Sequence, residues 1–411
     1  MVTFSDIALW EWIALGGLAV LFLAQVYWYA RYMAAPARRM RKRNVRNDDV
    51  RCTKEDAPGV TVILAAHNEC VNLSNYLQAL LTQDYPTYEV IVVDDGSEDS
   101  TRDVVEQYML RDPRLKMTYV PYGARVGSTK KLAITLAAKA SQYDYLLLTD
   151  ADCVPESNQW ISEMMRGFGD VRSDDVRCTK EIVLGFSPYF EEKGHINRLV
   201  RFDTLFNGLH YLGAALCGHP YMGVGRNLAY SKSLFFESGG FTRMMTNRSG
   251  DDDLFVNHVA TRENTAVVLS RESYTWSLSK KTMKEWWQQK RRHVSVSPAY
   301  RAGTKLRLGF EPLTRGLFYA LAFGLIAYQL ATIDYQSLIG NLSTLYTLHY
   351  TLLIAVGLFL LRWIIQSAII NVSARRMGLK RFSMWTILWF DIALPLVNLW
   401  MLCVPKRIKK W

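Results

Sequence analysis

From Ile13 to Met33 the chain reads IALGGLAVLFLAQVYWYARYM, apolar over the ~20 residues that a helix needs to cross a bilayer. Backbone placed in lipid must satisfy its own hydrogen bonds, so a single segment of this kind spans only as a helix. Trp10, Trp12, Tyr27, Trp28 and Tyr29 stand near its two ends as interfacial anchors. A cleaved signal peptide fails on charge, because the basic cluster follows the apolar run and no small-residue cleavage site is evident. Apolar runs return at about Leu313–Ile333, Leu348–Ile370 and Met384–Val404. The chain thus divides into an N-terminal anchor (1–34), a basic juxtamembrane linker (35–57), a soluble domain (58–300) and a membrane region of two to three apolar segments (301–411).

The formal charge of +11 raises the question of nucleic acid, but the excess flanks the apolar runs. Arg38, Arg39, Arg41, Lys42, Arg43 and Arg46 follow the first run, Arg375, Arg376, Lys380 and Arg381 a later one, and Lys406, Arg407, Lys409 and Lys410 close the chain. The positive-inside bias produces this placement, and no aromatic-interleaved basic motif accompanies it, so no nucleic-acid partner is expected. The start of the chain is then outside and the soluble domain cytosolic, as in a protein of a bacterial inner membrane. The last apolar run contains Asp391 and Pro395 and reads as a span or a re-entrant hairpin. A full crossing would put the basic tail outside, so the bias favours a tail that stays inside. Six cysteines (Cys52, Cys70, Cys153, Cys178, Cys217, Cys403) form no CxxC pair and suit a reducing compartment. An identical octapeptide, DDVRCTKE, occurs at Asp48–Glu55 and again at Asp174–Glu181; two copies make no solenoid, and no function attaches to them.

Within the soluble domain, strand and helix patterns alternate. VTVILAA from Val60, YEVIVVDD, LKMTYV and DYLLLTD read as strands. Leu73, Leu77, Leu80 and Leu81, then Val104, Val105, Tyr108 and Met109, and then KKLAITLAAKA read as helices. This alternation predicts an α/β fold with a parallel sheet covered on both faces, whose ligands bind at the carboxyl ends of the strands.

Charged clusters fall at those ends. Asp94 and Asp95, before a Gly turn, can accept hydrogen bonds from a ribose or a base edge, or simply form a polar turn. Asp150 and Asp152, one residue apart at the end of a buried strand, can grip a hard divalent cation together with diphosphate oxygens, or serve only as a cap or salt-bridge partners. Asp251, Asp252 and Asp253 follow a Gly-containing turn at a helix start, where a carboxylate serves as a general base or merely complements the helix dipole. Gln289, Lys290, Arg291, Arg292 and His293 lie in a basic helical stretch with Trp286 and Trp287, suited to phosphate or to a membrane surface.

Taken in order, VILAAHNE, VVDDGSEDST, LLTDAD, GVGRN, SGDDDL and QKRRH resemble the motifs of family-2 glycosyltransferases, notably the membrane-embedded synthases related to hyaluronan, chitin and cellulose synthases and to ceramide glucosyltransferase. The resemblance implies a GT-A type Rossmann-like nucleotide-sugar domain with transmembrane helices before and after it. It makes Asp94 or Asp95 a uridine contact, with His67, Asn68 and Glu69 beside it, and brings Lys130 to the nucleotide or its phosphates. It makes Asp150 and Asp152 the pair that holds Mg²⁺ or Mn²⁺ with the diphosphate, and Asp252 the catalytic base. Gln289 and Arg292 match the first and fourth positions of a QxxRW motif that closes over the diphosphate.

His293 stands where that motif has Trp, and a shifted register, Gln288 to Arg291 ending in Arg292, departs further. Since that Trp helps form the acceptor site of polymerising synthases, the expectation is inverting transfer of one sugar, with processive polysaccharide synthesis the alternative. The resemblance implies a nucleotide-sugar donor, UDP-linked, and, as acceptor, a lipid or lipid-linked glycan at the bilayer. Tyr211, Leu212 and GAALCGHPYMGVG are apolar enough to meet such an acceptor or to be plain core. Three or four spans are meagre for an export channel, which an oligomer or partner would have to complete. A catalytically silent nucleotide-binding subunit is the reading from another class, and the intact Asp150, Asp152, Asp252 and Arg292 oppose it.

Overall fold

In a computed structural model, residues 8–45, 57–121, 123, 127–169, 180–245, 249–332 and 342–403 are described. Most of both octapeptide copies and the tail after Cys403 lie outside them; of the second copy, Lys180 and Glu181 lead into a strand. Strands β1 (Val60–Ala66), β2 (Tyr88–Asp94), β3 (Leu115–Tyr119) and β4 (Tyr145–Asp150) pair in parallel in the order β3-β2-β1-β4. Helices α3 (Cys70–Leu81), α4 (Thr101–Met109) and α5 (Thr129–Ala140) connect them. The strands are apolar on both faces because both faces are covered. Ile63, Ile91, Val93, Leu146 and Leu148 pack with Ala133, Ile134 and Ala137 of α5. Val62, Leu64, Val90, Val92 and Leu147 pack with Leu73, Leu77 and Leu80 of α3 on the other side.

Beyond β4 the expected all-parallel sheet gives way to a mixed one. A short hairpin of β5 (Cys153–Pro155) with the later β9 (Thr275–Ser277) and helix α6 (Trp160–Met165) follow β4. Then β6 (Ile182–Leu184), α7 (His195–Leu216) and β7 (Leu228–Ser231) bring β7 antiparallel beside β4, and β8 (Thr265–Val267) joins outside β6. The reversal has a consequence for chemistry. Because β7 runs against β4, its amino end meets the carboxyl end of β4, and the Gly223–Asn227 loop arrives beside Asp150. Helices α8 (Lys232–Glu237), α9 (Asp253–Val259) and α10 (Met283–Val294) complete the domain.

Tyr211 and Leu212, the residues in question for an acceptor, are core: Tyr211 is 2% exposed and donates its hydroxyl to the Gly185 carbonyl at 2.7 Å, and Leu212 is fully buried. The next residue, Gly213, lies against the chain at Tyr32, where a Cβ would sit 2.1 Å from the Tyr32 carbonyl oxygen. That close approach docks α7 against a π-helical turn, Tyr29–Met33, which continues α1 (Leu9–Trp28) toward α2 (Ala35–Val45).

Four helices are long and apolar enough to cross a membrane: Leu9–Met33, Ala302–Thr332, Tyr350–Arg376 and Met384–Met401. They lie before and after the α/β domain. α11 (Ala302–Thr332) and α12 (Leu342–Arg376) pack on α1 through Leu15, Leu18, Phe318, Ala322, Leu325 and Ala355. Their order along the bundle is set by polar pairs: Gln329 donates to Glu11 at 2.6 Å at one end, and Gln25 donates to Thr314 at 2.6 Å toward the other. α13 (Met384–Cys403) is one unbroken helix through Pro395, not a hairpin. It behaves differently from the other three. Phe382, just before it, and Phe390 within it pack on Phe202 of α7 (5.3 and 5.1 Å), while Trp400 near its end packs on Trp287 of α10 at 4.9 Å. Asp391 joins it to the bundle, pairing with Arg315 at 2.7 Å and Arg362 at 2.9 Å, with Glu311 on Arg315 at 2.9 Å. Two guanidinium groups thus face two carboxylates, which is how ionised groups survive burial among apolar helices.

Candidate active site

The first two strand ends form one hydrogen-bonded ledge. Asn68 adopts the left-handed region (φ 57°), which a short amide side chain tolerates. Its N–H donates to Ser97 Oγ at 3.0 Å and its Oδ1 accepts from the Glu98 N–H at 2.8 Å. The Glu69 N–H donates to Thr101 Oγ1 at 2.8 Å. Asp94 and Asp95 then separate. Asp94 is buried and committed to the turn, accepting from the Ser97 N–H at 2.9 Å, with Arg102 at 3.4 Å. Asp95 is less buried, accepts from Thr129 Oγ1 at 2.5 Å, and its carbonyl meets His67 Nδ1 at 2.7 Å. Burial pushes the Asp95 and Glu69 carboxyls up; for Glu69 the nearby Asp152 and Asp150 add to it. The first loop therefore faces the aspartate pair of β4.

Asp150 ends β4, in register with Ala65 of β1, and Asp152 follows across one residue. Lys130, in the first turn of α5, reaches Asp150 Oδ1 at 2.8 Å and Asp251 Oδ2 at 3.2 Å, tying the second acidic motif to the third. Burial opposes charge on both partners, yet the pairing outweighs it: Lys130 is held well above its usual range by Asp150, Asp251 and Asp252. Asp150 is held below its own by Lys130, with help from Arg226 and Arg292. Among the described residues no three His, Cys, Asp or Glu groups converge as a metal cage. Two hard carboxylates, with the remaining positions left to water and phosphate oxygens, suit Mg²⁺ or Mn²⁺ carried with a diphosphate.

Asp252 is the N-cap of α9. Its Oδ1 accepts from the Asp253 N–H at 2.8 Å and its Oδ2 from the Gly225 N–H at 2.7 Å. Burial, then repulsion from Asp251, pushes its carboxyl up to about 6 against the pull of Lys130. Lys131, which the sequence patterns did not single out, is fully buried and donates to the Met244 and Ser249 carbonyls at 2.8 and 2.9 Å. It thereby holds both ends of the loop that delivers Asp251 and Asp252. The adjacent lysines divide the work: one meets the carboxylates, the other the backbone behind them.

α10 opens with a capping box between Thr282 and Glu285 and is pinned to α7 by Lys290 on Asp203 at 2.6 Å. Gln289 donates to the Tyr189 hydroxyl at 2.9 Å, whereas Gln288 is exposed, so Gln289 is the glutamine that turns into the site. Arg292 lies close enough to Asp150 to bear on its charge, and His293 is exposed. Two participants have no assigned role in the sequence patterns. Tyr189 supports the Arg226 guanidinium, whose carbon is 4.3 Å from the ring centroid, and Arg226 follows the glycine that holds Asp252. The GVGRN segment marked the place; only the folded loop reveals the arginine's surroundings.

A Rossmann-like sheet of this order, with acidic motifs gathered at the ends of β2 and β4 and at the start of α9, is the GT-A architecture of glycosyltransferases. The family model for glycosyl transferase family 2 matches residues 61–226, and the chain carries a family-2 glycosyltransferase domain. Among curated proteins it is similar to the probable glycosyltransferase YdaM of Bacillus subtilis, 24% identical over 241 residues, 58% of this chain and 55% of that one. It is also similar to the poly-β-1,6-N-acetyl-D-glucosamine synthase of Staphylococcus epidermidis, 26% identical over 105 residues, 26% of this chain and 24% of that one. The chain thus spans about half or less of these relatives' length. Among solved structures, the mannosyltransferase PcManGT of Pyrobaculum calidifontis, in complex with GDP-Man and Mn²⁺, shares the fold with a TM-score of 0.54 at 20% identity, over 84% of this chain and 97% of that one.

Proposed function

We propose that the chain is an inverting glycosyltransferase that moves a hexosyl or N-acetylhexosaminyl group from a nucleotide sugar, UDP-linked, to a lipid or lipid-linked acceptor at the cytoplasmic face of a membrane. The observation that supports this reading is the bridge from Asp150 through Lys130 to Asp251, the residue immediately before Asp252. Metal-motif carboxylates and a candidate base thus share one small space, as a single displacement requires.

In that reaction the acceptor oxygen forms a bond to the anomeric carbon while the bond from that carbon to the diphosphate breaks. Asp252 takes the acceptor proton, and the bonding pair leaves with the diphosphate. Burial with Asp251 alongside gives Asp252 the basicity for that transfer, and the two N–H groups aim it. Asp95, with His67, Asn68 and Glu69 nearby, receives the nucleoside; Asp94 supports the turn behind them. Asp150 and Asp152 would hold Mg²⁺ or Mn²⁺, whose charge stabilises the departing diphosphate. Lys130, Gln289 and Arg292 supply further donors on that side.

The orientation follows from charge: the start of the chain outside, the domain and the Arg375–Arg381 segment inside. A second reading, processive synthesis, draws on the partial likeness to the poly-N-acetylglucosamine synthase; the exposed His293 in place of Trp favours single transfer. Purified protein in detergent, given a panel of radiolabelled nucleotide sugars and membrane lipids, tests both. A discrete glycolipid is expected. A ladder or large polymer without added lipid would replace single transfer with polymerisation, and consumption of no donor would remove the enzyme reading.

A further inference from the structure

We propose that Arg226 is a further donor-binding residue, whose Nη1 receives an oxygen of the β-phosphate in the nucleotide sugar's diphosphate. This rests on the glycosyltransferase reading above and deepens it. The Arg226 side chain is only partly spent. Nη2 donates to the Ser187 carbonyl at 3.1 Å and the guanidinium face rests on Tyr189, but Nη1 has no accessible surface and no partner. None of the ion pairs among the described residues includes Arg226. A buried guanidinium served only by a carbonyl and a ring is incompletely compensated.

Its surroundings say which partner fits. Asp150 and Asp152 lie in its field, and Tyr189 beneath it accepts from Gln289, so Arg226 sits between the aspartate pair and α10. In the free protein those two carboxylates offset its charge from a distance. Once a divalent cation occupies them that compensation is gone, and an anion must arrive with the cation. A diphosphate meets both demands, and the planar guanidinium is built for phosphate oxygens. Gly225 adds a geometric link, because the same loop that presents Arg226 holds Asp252. Arg226 is thereby placed on the leaving-group side of the sugar while its neighbour fixes the base on the acceptor side.

The test compares the parent with Arg226→Met and Arg226→Lys, purified in detergent with Mn²⁺, for binding of UDP, UMP and UDP-sugars by calorimetry, with melting temperature as a check on folding. Expected is a loss of about tenfold or more in UDP affinity for Arg226→Met, little change for UMP, and partial recovery in Arg226→Lys. Parent-like UDP binding in Arg226→Met would overturn the proposal. So would equal losses for UDP and UMP, which mark a structural role, or a loss confined to the sugar-bearing donors, which would assign the contact to the sugar. A parent that binds neither UDP nor GDP, nor any sugar derivative of them, would remove the donor reading itself and this proposal with it.

Discussion

In the proposed reaction Asp252 must be a basic carboxylate without being misplaced, and the two requirements fall to different neighbours. Burial and Asp251 raise its proton affinity, while the Gly225 and Asp253 N–H groups fix its direction. Asp252→Asn keeps the shape and an acceptor for one of those N–H groups, turns an amide NH2 toward the other, and cannot take a proton. Nucleotide-sugar affinity within a few-fold of the parent, with turnover down roughly 10²-fold or more, is expected from steady-state kinetics with a binding assay. Near-parent turnover would move the base elsewhere, with Asp251 first in line. The sign of the pH effect follows: a base must be ionised, so kcat/KM of the parent falls as pH drops through about 6, and Asp252→Asn loses that limb. At the aspartate pair the expectation is opposite in kind. On the proposed metal assignment Asp150→Asn or Asp152→Asn each removes an anionic ligand from a doubly charged cation, so metal-dependent binding of the nucleotide sugar should weaken and transfer should be lost. Unchanged binding and turnover in both would remove the metal assignment.

Elements show where sequence patterns were legible and where they were not. β1, β2, β4, α3 and α5 announce themselves because a strand covered on both faces reads as a continuous apolar run and a covering helix as a 3.6-residue repeat. The aspartates at the strand ends were legible for the same reason, since they follow those runs directly. The direction of β7 was not. LAYS carries no mark of orientation; the antiparallel placement depends on where the 22-residue α7 returns the chain. Arg226 and Lys131 were illegible too, because a buried cation is defined by partners distant in sequence. α7 also makes a prediction of its own through Gly213. A Cβ there meets backbone, which cannot swing aside, so Gly213→Ala should lower the melting temperature in detergent, overpacking costing about 1–3 kcal/mol. Gly16→Ala in α1 meets nothing within 4 Å and gains helix propensity, so it should not lower it. Equal melting temperatures for the two variants would mean that α7 does not dock tightly on the Tyr29–Met33 turn.

At the scale of the whole molecule the question is how many of the four apolar helices cross. α13, 20 residues and ~30 Å long, has the length for it. Its contacts oppose it. The far ends of α1 and α11 meet each other, Glu11 with Gln329, away from the α/β domain. Both ends of α13 instead touch that domain: Lys380, just ahead of it, pairs with Glu191 at 2.6 Å, and Trp400 packs on Trp287. A helix tied to the domain at both ends lies along it. Its outer face suits that position, since Trp385 (72% exposed), Trp389 (69%), Leu396 (62%) and Trp400 (52%) make one apolar, Trp-rich stripe, while Asp391 points the other way into its arginine pair. Tryptophans of this kind favour the headgroup boundary. Three crossings, by α1, α11 and α12, then return the chain inside, which is where the positive-inside rule wants Lys406, Arg407, Lys409 and Lys410. Cys403, exposed at the end of α13, is a natural reporter. In a variant retaining Cys403 as its one cysteine, a membrane-impermeant maleimide should label it only after permeabilisation, whereas a cysteine placed instead at Ser337, between α11 and α12, should label on intact cells. Labelling of Cys403 on intact cells would make α13 a fourth crossing and put the basic tail outside against the charge rule; labelling of neither would reverse the orientation of the α11–α12 hairpin.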